Sequence, residues 1–276
     1  MRKIPEFVIL FYNHDALVND DELKFYPALN EIGYSGMCIA RTWMLNLVQY
    51  AKLETKLAEY GIRLINSVRE YENLHYFNRV YQDIKNFTPR ALFYSSISEA
   101  DANEINNSFG RFMIKDYVKS VKGYDFPAYI NTPVTQEELN NLMTCFVELR
   151  GSLYTGGIVF KDYVNLKRCG KATNEFRVFY LYGKVVTVSK NSNQPANSAY
   201  LPMAFAERFG NLRSNFYTVD FAQTTGGDFI VLETGDGQVS GLSPGQLVFK
   251  YYDEIRAIVC EPNERDKILL NTNQTH

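Results

Sequence analysis

Two carboxylates in the second half of the chain give the first hint of chemistry. Asp220 lies in the run Phe216–Phe221, and Glu233 closes the run Phe229–Leu232. Both runs are rich in β-branched and aromatic residues, and Gly226–Gly227 lies between them, which predicts a β-hairpin. Across such a ladder the two carboxylates come side by side. Like charges there repel, and a cation between them relieves the cost. Mg²⁺ suits the position, because it takes oxygen ligands and usually shares them with nucleotide phosphates. The following Gly235–Asp236–Gly237 offers a third carboxylate on a turn.

The matching cations lie upstream. Arg111–Lys115 reads as a strand that carries Lys115 into a loop holding Lys119, Lys122 and Gly123. Lysine supplies a point charge and glycine lets the backbone approach, so such a loop could cover phosphates. It is not a Walker A loop, whose pattern is absent from the chain. A second hairpin spans Asn174–Lys190 and turns at Tyr182–Gly183–Lys184. Alternation puts Glu175, Arg177 and Phe179 on one face of its first arm, and Lys190 ends the return arm. Between loop and hairpin, Gly156–Leu166 reads as a strand running through Lys161, Asp162, Tyr163 and Val164 into a connector.

The remaining elements position these residues. Glu6–Tyr12 reads as a buried strand. Apolar residues recur from Trp43 through Leu47, Tyr50, Leu53 and Leu57 to Tyr60, a helix that Gly61 stops, and Ile62–Ile65 reads as another strand. Strand, helix and strand predict a small α/β domain over about the first 80 residues. Arg41, just before that helix, could be a ligand group or a solvated helix-start arginine. Ala91–Ser95 reads as a strand after the Thr88–Pro89 turn. Thr135 and Glu138 form a capping box, Val134 staples onto Leu139, and Leu139, Leu142, Met143, Phe146 and Leu149 make the buried stripe of a helix. Asn191–Ser198 reads as a polar loop and Ala199–Phe209 as helical. A last helix is expected from Ser243 and Pro244, with Gln246 completing its box and Leu247, Tyr251, Ile255 and Ile258 facing inward.

Composition bounds the function. The 276 residues are 46% hydrophobic and 22% charged with a formal net charge of -2, which suits a globular protein and not a generic nucleic-acid coat. The 20 Tyr and 19 Phe against one Trp suit ring stacking and β-rich packing. Cys38, Cys145, Cys169 and Cys260 are too far apart for a zinc site or disulfide framework, and His14, His75 and His276 are too scattered for a metal cluster. Free thiols, no signal peptide and no apolar run long enough for a membrane span predict a cytoplasmic protein.

In order, a strand lysine with a glycine-bearing loop, a strand with a connector, a hairpin with Glu175, Arg177 and Lys190, and a hairpin with Asp220 and Glu233 resemble the ATP-grasp superfamily. The likeness covers roughly residues 85 to 260. It is nearest to a clade of phages and bacteria named for a conserved arginine and two lysines. The resemblance implies an α+β, ATP-grasp fold: two α+β lobes with antiparallel sheets sandwiching ATP, at 85–165 and 166–276, preceded by a small α/β domain at 1–84. It implies that Lys115 contacts the α- and β-phosphates, and that Ser120 to Gly123, with Lys122, forms the flexible phosphate loop. Lys161 to Val164 would read adenine through the connector, with Lys161 or Asp162 reaching base or ribose. Glu175 would belong to the nucleotide site, and Arg177 and Lys190 would act on the moving phosphoryl group beside Lys115. Asp220 and Glu233 would hold Mg²⁺. Many members carry an asparagine two residues after the second carboxylate. Gly235 stands there instead, so Asp236 or water would complete the metal site.

The implied activity is ATP-dependent carboxylate–amine ligation through an acylphosphate, with ADP released. The partners are then a carboxylate and an amine acceptor, with a peptide or protein among the candidates, and no nucleic acid. The alternatives are a nucleotidyltransferase or polynucleotide ligase and a non-catalytic nucleotide-binding protein. The first needs a K-x-D-G lysine, and Lys115–Asp116 and Lys161–Asp162 lack its glycine. Retention of Lys115, Arg177, Asp220 and Glu233 argues against the second.

Overall fold

The computed structural model describes residues 10–121 and 126–259. Lys122 and Gly123, Cys260, His276 and most of the expected Glu6–Tyr12 strand lie outside them. The chain opens with β1 (Phe11–Tyr12), α1 (His14–Val18) and β2 (Phe25–Tyr26), and β1 pairs antiparallel with β2. Phe11 is exposed there, so what is described of the first expected strand is not buried. The strand–helix–strand unit forms one step later: β3 (Gly36–Cys38), α2 (Leu47–Ala58) and β4 (Ile62–Leu64), with β3 and β4 parallel. The helix starts four residues after Trp43 because Asn46 and Gln49 make a reciprocal capping box, which leaves Trp43 outside and exposed. Two further helices follow, α3 (Val68–His75) and α4 (Phe77–Ile84), the first capped by Ser67 and Glu70.

The first sheet comprises β5 (Ala91–Tyr94), β6 (Arg111–Lys115), β7 (Ile130–Asn131) and β8 (Ile158–Asp162), in the order β5-β8-β6-β7, all antiparallel. Between its strands lie α5 (Ala102–Ser108) and α6 (Gln136–Arg150). Thr135 caps α6 in the predicted box, and Leu139, Met143 and Phe146 are its buried stripe, whereas Leu149 is partly exposed. The sheet face carrying Phe112, Ile114, Ile158 and Phe160 packs on that stripe.

A small ribbon of β9 (Arg168–Cys169) and β10 (Ala172–Thr173) leads to the second sheet. That sheet comprises β11 (Glu175–Leu181), β12 (Lys184–Lys190), β13 (Phe216–Gln223) and β14 (Phe229–Asp236), in the order β12-β11-β13-β14, also antiparallel. Both hairpins form as the sequence predicts. Tyr182 and Gly183 turn the first with positive φ, as a two-residue hairpin turn demands, and Gly227 does so in the second. The short α7 (Met203–Ala206) occupies part of the expected helical stretch. The last helix, α8 (Val248–Val259), begins after Ser243, Pro244 and Leu247. Gln246 does reach the Ser243 N–H, at 3.2 Å, but as a turn ahead of the helix. Leu247 is 70% exposed, so Tyr251, Ile255 and Ile258 alone are the inward stripe.

One core joins the two sheets. Phe77, Val80 and Ile84 of α4 pack with Val159 of the first sheet and with Phe176, Val178, Tyr180, Tyr217, Val219 and Phe221 of the second. The edge strand β14 is tied to the first half: Val231 N–H donates to Phe87 O at 2.7 Å, and Thr88 Oγ1 donates to Val231 O at 2.9 Å. The connector after β8 pairs with the far end of the second hairpin, with Lys167 N–H donating to Gln223 O at 2.8 Å. The two sheets therefore meet along the middle of β14, beside Glu233.

Candidate functional site

Register decides which charges meet. Arg177 pairs with Asp220, and Asp220 pairs with Glu233, so the three stand in a row across β11, β13 and β14. The Arg177 guanidinium grips Asp220 with both prongs, Nε to Oδ1 at 2.8 Å and Nη2 to Oδ2 at 2.6 Å. Burial works against the Arg177 charge, but the bonds and charge of Asp220 outweigh it and raise its pKa. Burial pushes Asp220 up, against the pull of Arg177, and Glu233 adds to the push. Asn191 Nδ2 reaches Asp220 Oδ2 at 3.5 Å, and Arg177 Nη1 also holds Gly241 O at 2.9 Å.

The first sheet presents lysines to this row. Lys115 pairs with Val159, and Met113 with Lys161, so both lysines lie on the face opposite the α6 stripe. Both are buried, and their ammonium groups sit over one ring, 4.9 Å and 4.5 Å from the Phe77 centroid. Lys161 Nζ donates to Leu232 O at 2.5 Å, one residue before Glu233. Burial, then the neighbouring Lys115 charge, lower the Lys161 pKa to about 7, against the pull of Glu233. Lys119 Nζ reaches Glu233 Oε2 at 3.8 Å. His75 lies beside them at the end of α3, its pKa lowered to about 3 by burial, then by Lys119 and Lys115. Thr234 Oγ1 donates to Leu74 O at 2.8 Å and fixes α3 against β14.

Lys115, Lys161, Arg177, Asp220 and Glu233 are thus brought together. Lys161 sits within the strand, beside Lys115, ahead of the connector. Asp162 ends β8, half-buried, its pKa raised by burial against the pull of Arg90. Tyr163 is stacked rather than free: the Arg111 guanidinium carbon lies 4.3 Å from its ring centroid and 5.0 Å from that of Tyr129. Val164 follows in the connector. Glu175 shares the Arg177 face, two residues away, and accepts a short hydrogen bond from Thr173 Oγ1.

Two expected members stand apart. Lys190 pairs with Phe176 and so lies on the face opposite Arg177; its ammonium donates to Pro195 O at 2.6 Å and Ala196 O at 2.9 Å. Asp236 is three residues from Glu233 on one strand and points to the other face. Its fully buried carboxylate accepts from Asn66 Nδ2 in a short hydrogen bond and from Gln238 N at 2.8 Å. Burial raises its pKa to about 6. Arg41 is exposed, as a helix-start arginine would be, and stands outside the cluster: it donates to Gly237 O at 2.6 Å and Ser240 O at 2.7 Å.

The donor set fits Mg²⁺ and a polyphosphate. Among the described residues no group of three or more His, Cys, Asp or Glu could hold a metal ion. Mg²⁺ needs only one or two carboxylates when phosphates complete its shell. Two buried lysines of the first sheet stand in the field of Glu233, whose neighbour Asp220 is paired with Arg177. The sequence places Lys119 in the lysine-bearing loop expected to cover phosphates, but gives His75 no part in the site.

Paired antiparallel sheets with lysines on one and an arginine and two carboxylates on the other define the ATP-grasp class. The model of the ATP-grasp domain, R2K clade family 3, matches residues 103–255, more than half of the chain, and the chain belongs to that family. A sequence search of curated proteins finds no match. In fold the chain is similar to the D-alanine–D-alanine ligase from Coxiella burnetii, at 11% identity and a TM-score of 0.60, covering 96% of this chain and 82% of that one. It is also similar to the macrocyclase MdnC bound with precursor peptide MdnA from Microcystis aeruginosa MRC, at 14% identity and a TM-score of 0.48, covering 84% and 79%. No helix among the described residues is long and apolar enough to cross a membrane.

Proposed function

We propose that the protein is an ATP-dependent carboxylate–amine ligase that activates its acid as an acylphosphate and releases ADP. One observation carries the reading: Lys161 of the first sheet, beside Lys115, bonds to Leu232 O of the second sheet, and Lys119 stands 3.8 Å from Glu233, next to the Arg177–Asp220 pair. Lys115, Lys161 and Lys119 would hold the phosphates of ATP. Asp220 and Glu233 would hold Mg²⁺, which when bound offsets phosphate charge. Arg177 would steady Asp220 and neutralise charge on the transferring group. The substrate carboxylate attacks the γ-phosphoryl group and an amine then displaces phosphate, so no enzyme nucleophile is required. Residues 1–84, 85–165 and 166–276 would act as the preceding domain and the two lobes.

Chromatography of nucleotides after incubation with peptide or amino-acid pools tests this. ADP formed only with a particular pool, with hydroxamate when hydroxylamine is added, supports ligation. The lowered Lys161 pKa favours a second reading, a nucleotidyltransferase with a covalently modified lysine. AMP as product, with an added nucleotidyl mass on Lys161, would move the protein to that class.

A further inference from the structure

The turn that follows Lys115 is anchored on every side except one. Asp116 is fully buried at the end of β6. Its Oδ1 accepts from Val118 N at 2.7 Å and Lys119 N at 2.6 Å. Its Oδ2 accepts from Arg150 Nε at 2.9 Å and Thr155 N at 3.3 Å. The backbone closes the same loop, with Asp116 N donating to Lys119 O at 3.0 Å and Lys115 bridging Ser120. Arg150, the last residue of α6, is itself held by Leu153 O at 2.7 Å. Tyr117 lies against Gly157, where a Cβ would meet its ring at 2.1 Å, and Tyr117 O accepts from Phe77 N at 2.7 Å. Val118 is buried in the core of the N-terminal α/β unit. Of residues 116–119, Lys119 sends its side chain toward Glu233, 3.8 Å away. It and Glu233 line a cleft of about 370 Å³ with Ser120, Val121, Leu149, Arg150 and Leu153.

We propose that Asp116 is a positioning residue for Lys119. Its buried carboxylate, neutralised by Arg150, folds residues 116–119 so that the Lys119 ammonium meets the terminal phosphates of a nucleotide on the Glu233 side. A carboxylate suits this role because it accepts four donors at once while acting on both the turn and α6. Arg150 removes the charge that would otherwise repel a phosphate. The proposal rests on the nucleotide reading given above and adds a device that builds part of that site.

The test combines calorimetric titration with ATP and amide hydrogen exchange. Lys119→Ala is expected to weaken ATP about tenfold and to leave adenosine unchanged. Asp116→Asn should weaken ATP by a similar factor, and the double variant should be no weaker than either alone, because both changes remove one contact. The Val118 and Lys119 amides should lose exchange protection in Asp116→Asn. Should that variant fold poorly, Arg150→Gln should give a smaller loss of ATP affinity that likewise vanishes in the Lys119→Ala background. Losses that multiply in the double variant, or an Asp116→Asn protein that binds ATP like wild type, would overturn the positioning role. Wild-type protein that binds no ATP would instead remove the nucleotide reading, and Lys119's part with it.

Discussion

The two walls of the site handle charge in opposite ways. On the second sheet, Arg177 and Asp220 complete a two-pronged ion pair within one sheet, with side chains only 20% and 11% exposed. On the first sheet, two like charges, Lys115 and Lys161, are buried over one phenylalanine ring, and Lys161 bonds to a carbonyl of the other sheet. A finished pair is a source of rigidity. Two crowded ammonium groups repel one another, and the Glu233 charge opposes that repulsion at Lys161. On the proposed reading, the first sheet would supply most of the binding energy for phosphate and the second a fixed frame for the metal.

The largest effect should come from breaking the finished pair. Asp220→Asn leaves a buried guanidinium without its charge partner and is expected to destabilise the protein by roughly 2–4 kcal/mol, discounted for partial exposure. Arg177 bonds to both oxygens of Asp220, so the loss outweighs any relief of repulsion from Glu233, and denaturant unfolding of the variant decides. Next, Lys161→Met should do the reverse in the absence of ligand. It is expected to raise the unfolding free energy by about 1–3 kcal/mol while weakening ATP by about 100-fold.

The pH dependence sharpens the contrast. Lys161 has a folded-state pKa of about 7, below its ordinary value of 10.5. Between those values the unfolded chain binds more protons, so this group makes stability rise with pH from about 7 to 10.5. The difference between wild type and Lys161→Met should shrink over that window. His75, lowered from 6.5 to about 3, makes stability fall as pH drops through that lower range. Asp236, raised from 3.8 to about 6, acts with the opposite sign in an overlapping window. A His75→Gln variant should lose the acid-side fall, as thermal melts across pH would show. The smallest effect concerns the metal: Asp236→Asn should leave the Mg²⁺ requirement for nucleotide binding unchanged, because that carboxylate is spent on Asn66 and Gln238.

Local rules carried the reading where local rules decide the structure. Hairpin turns and strand alternation fixed Asp220 beside Glu233 and Arg177 on the adjoining position. The Thr135 box fixed α6. What failed depended on partners distant in sequence. Nothing near Asp236 announces Asn66, 170 residues away. Lys190 ends its strand as expected, yet pairing with Phe176 turns it to the other face. The resemblance puts Lys161 in the connector, whereas β8 runs through it to Asp162. Helix starts were misplaced where a cap lay inside an apolar run, as Asn46 does after Trp43, and where a turn imitates a cap, as at Ser243. Asp116 escaped notice because a buried acid in a turn looks like any turn-forming aspartate.

The central claim is that the lysine wall and the carboxylate wall bind one polyphosphate between them with Mg²⁺. Calorimetric titration of wild type, Lys161→Met and Glu233→Gln with ATP and with adenosine, each with and without Mg²⁺, tests it most directly. The account predicts that Lys161→Met loses affinity for ATP at any Mg²⁺ concentration, that Glu233→Gln loses only the Mg²⁺-dependent part, and that adenosine distinguishes none of the three proteins. Equal losses for ATP and adenosine, or ATP binding indifferent to both substitutions, would contradict it.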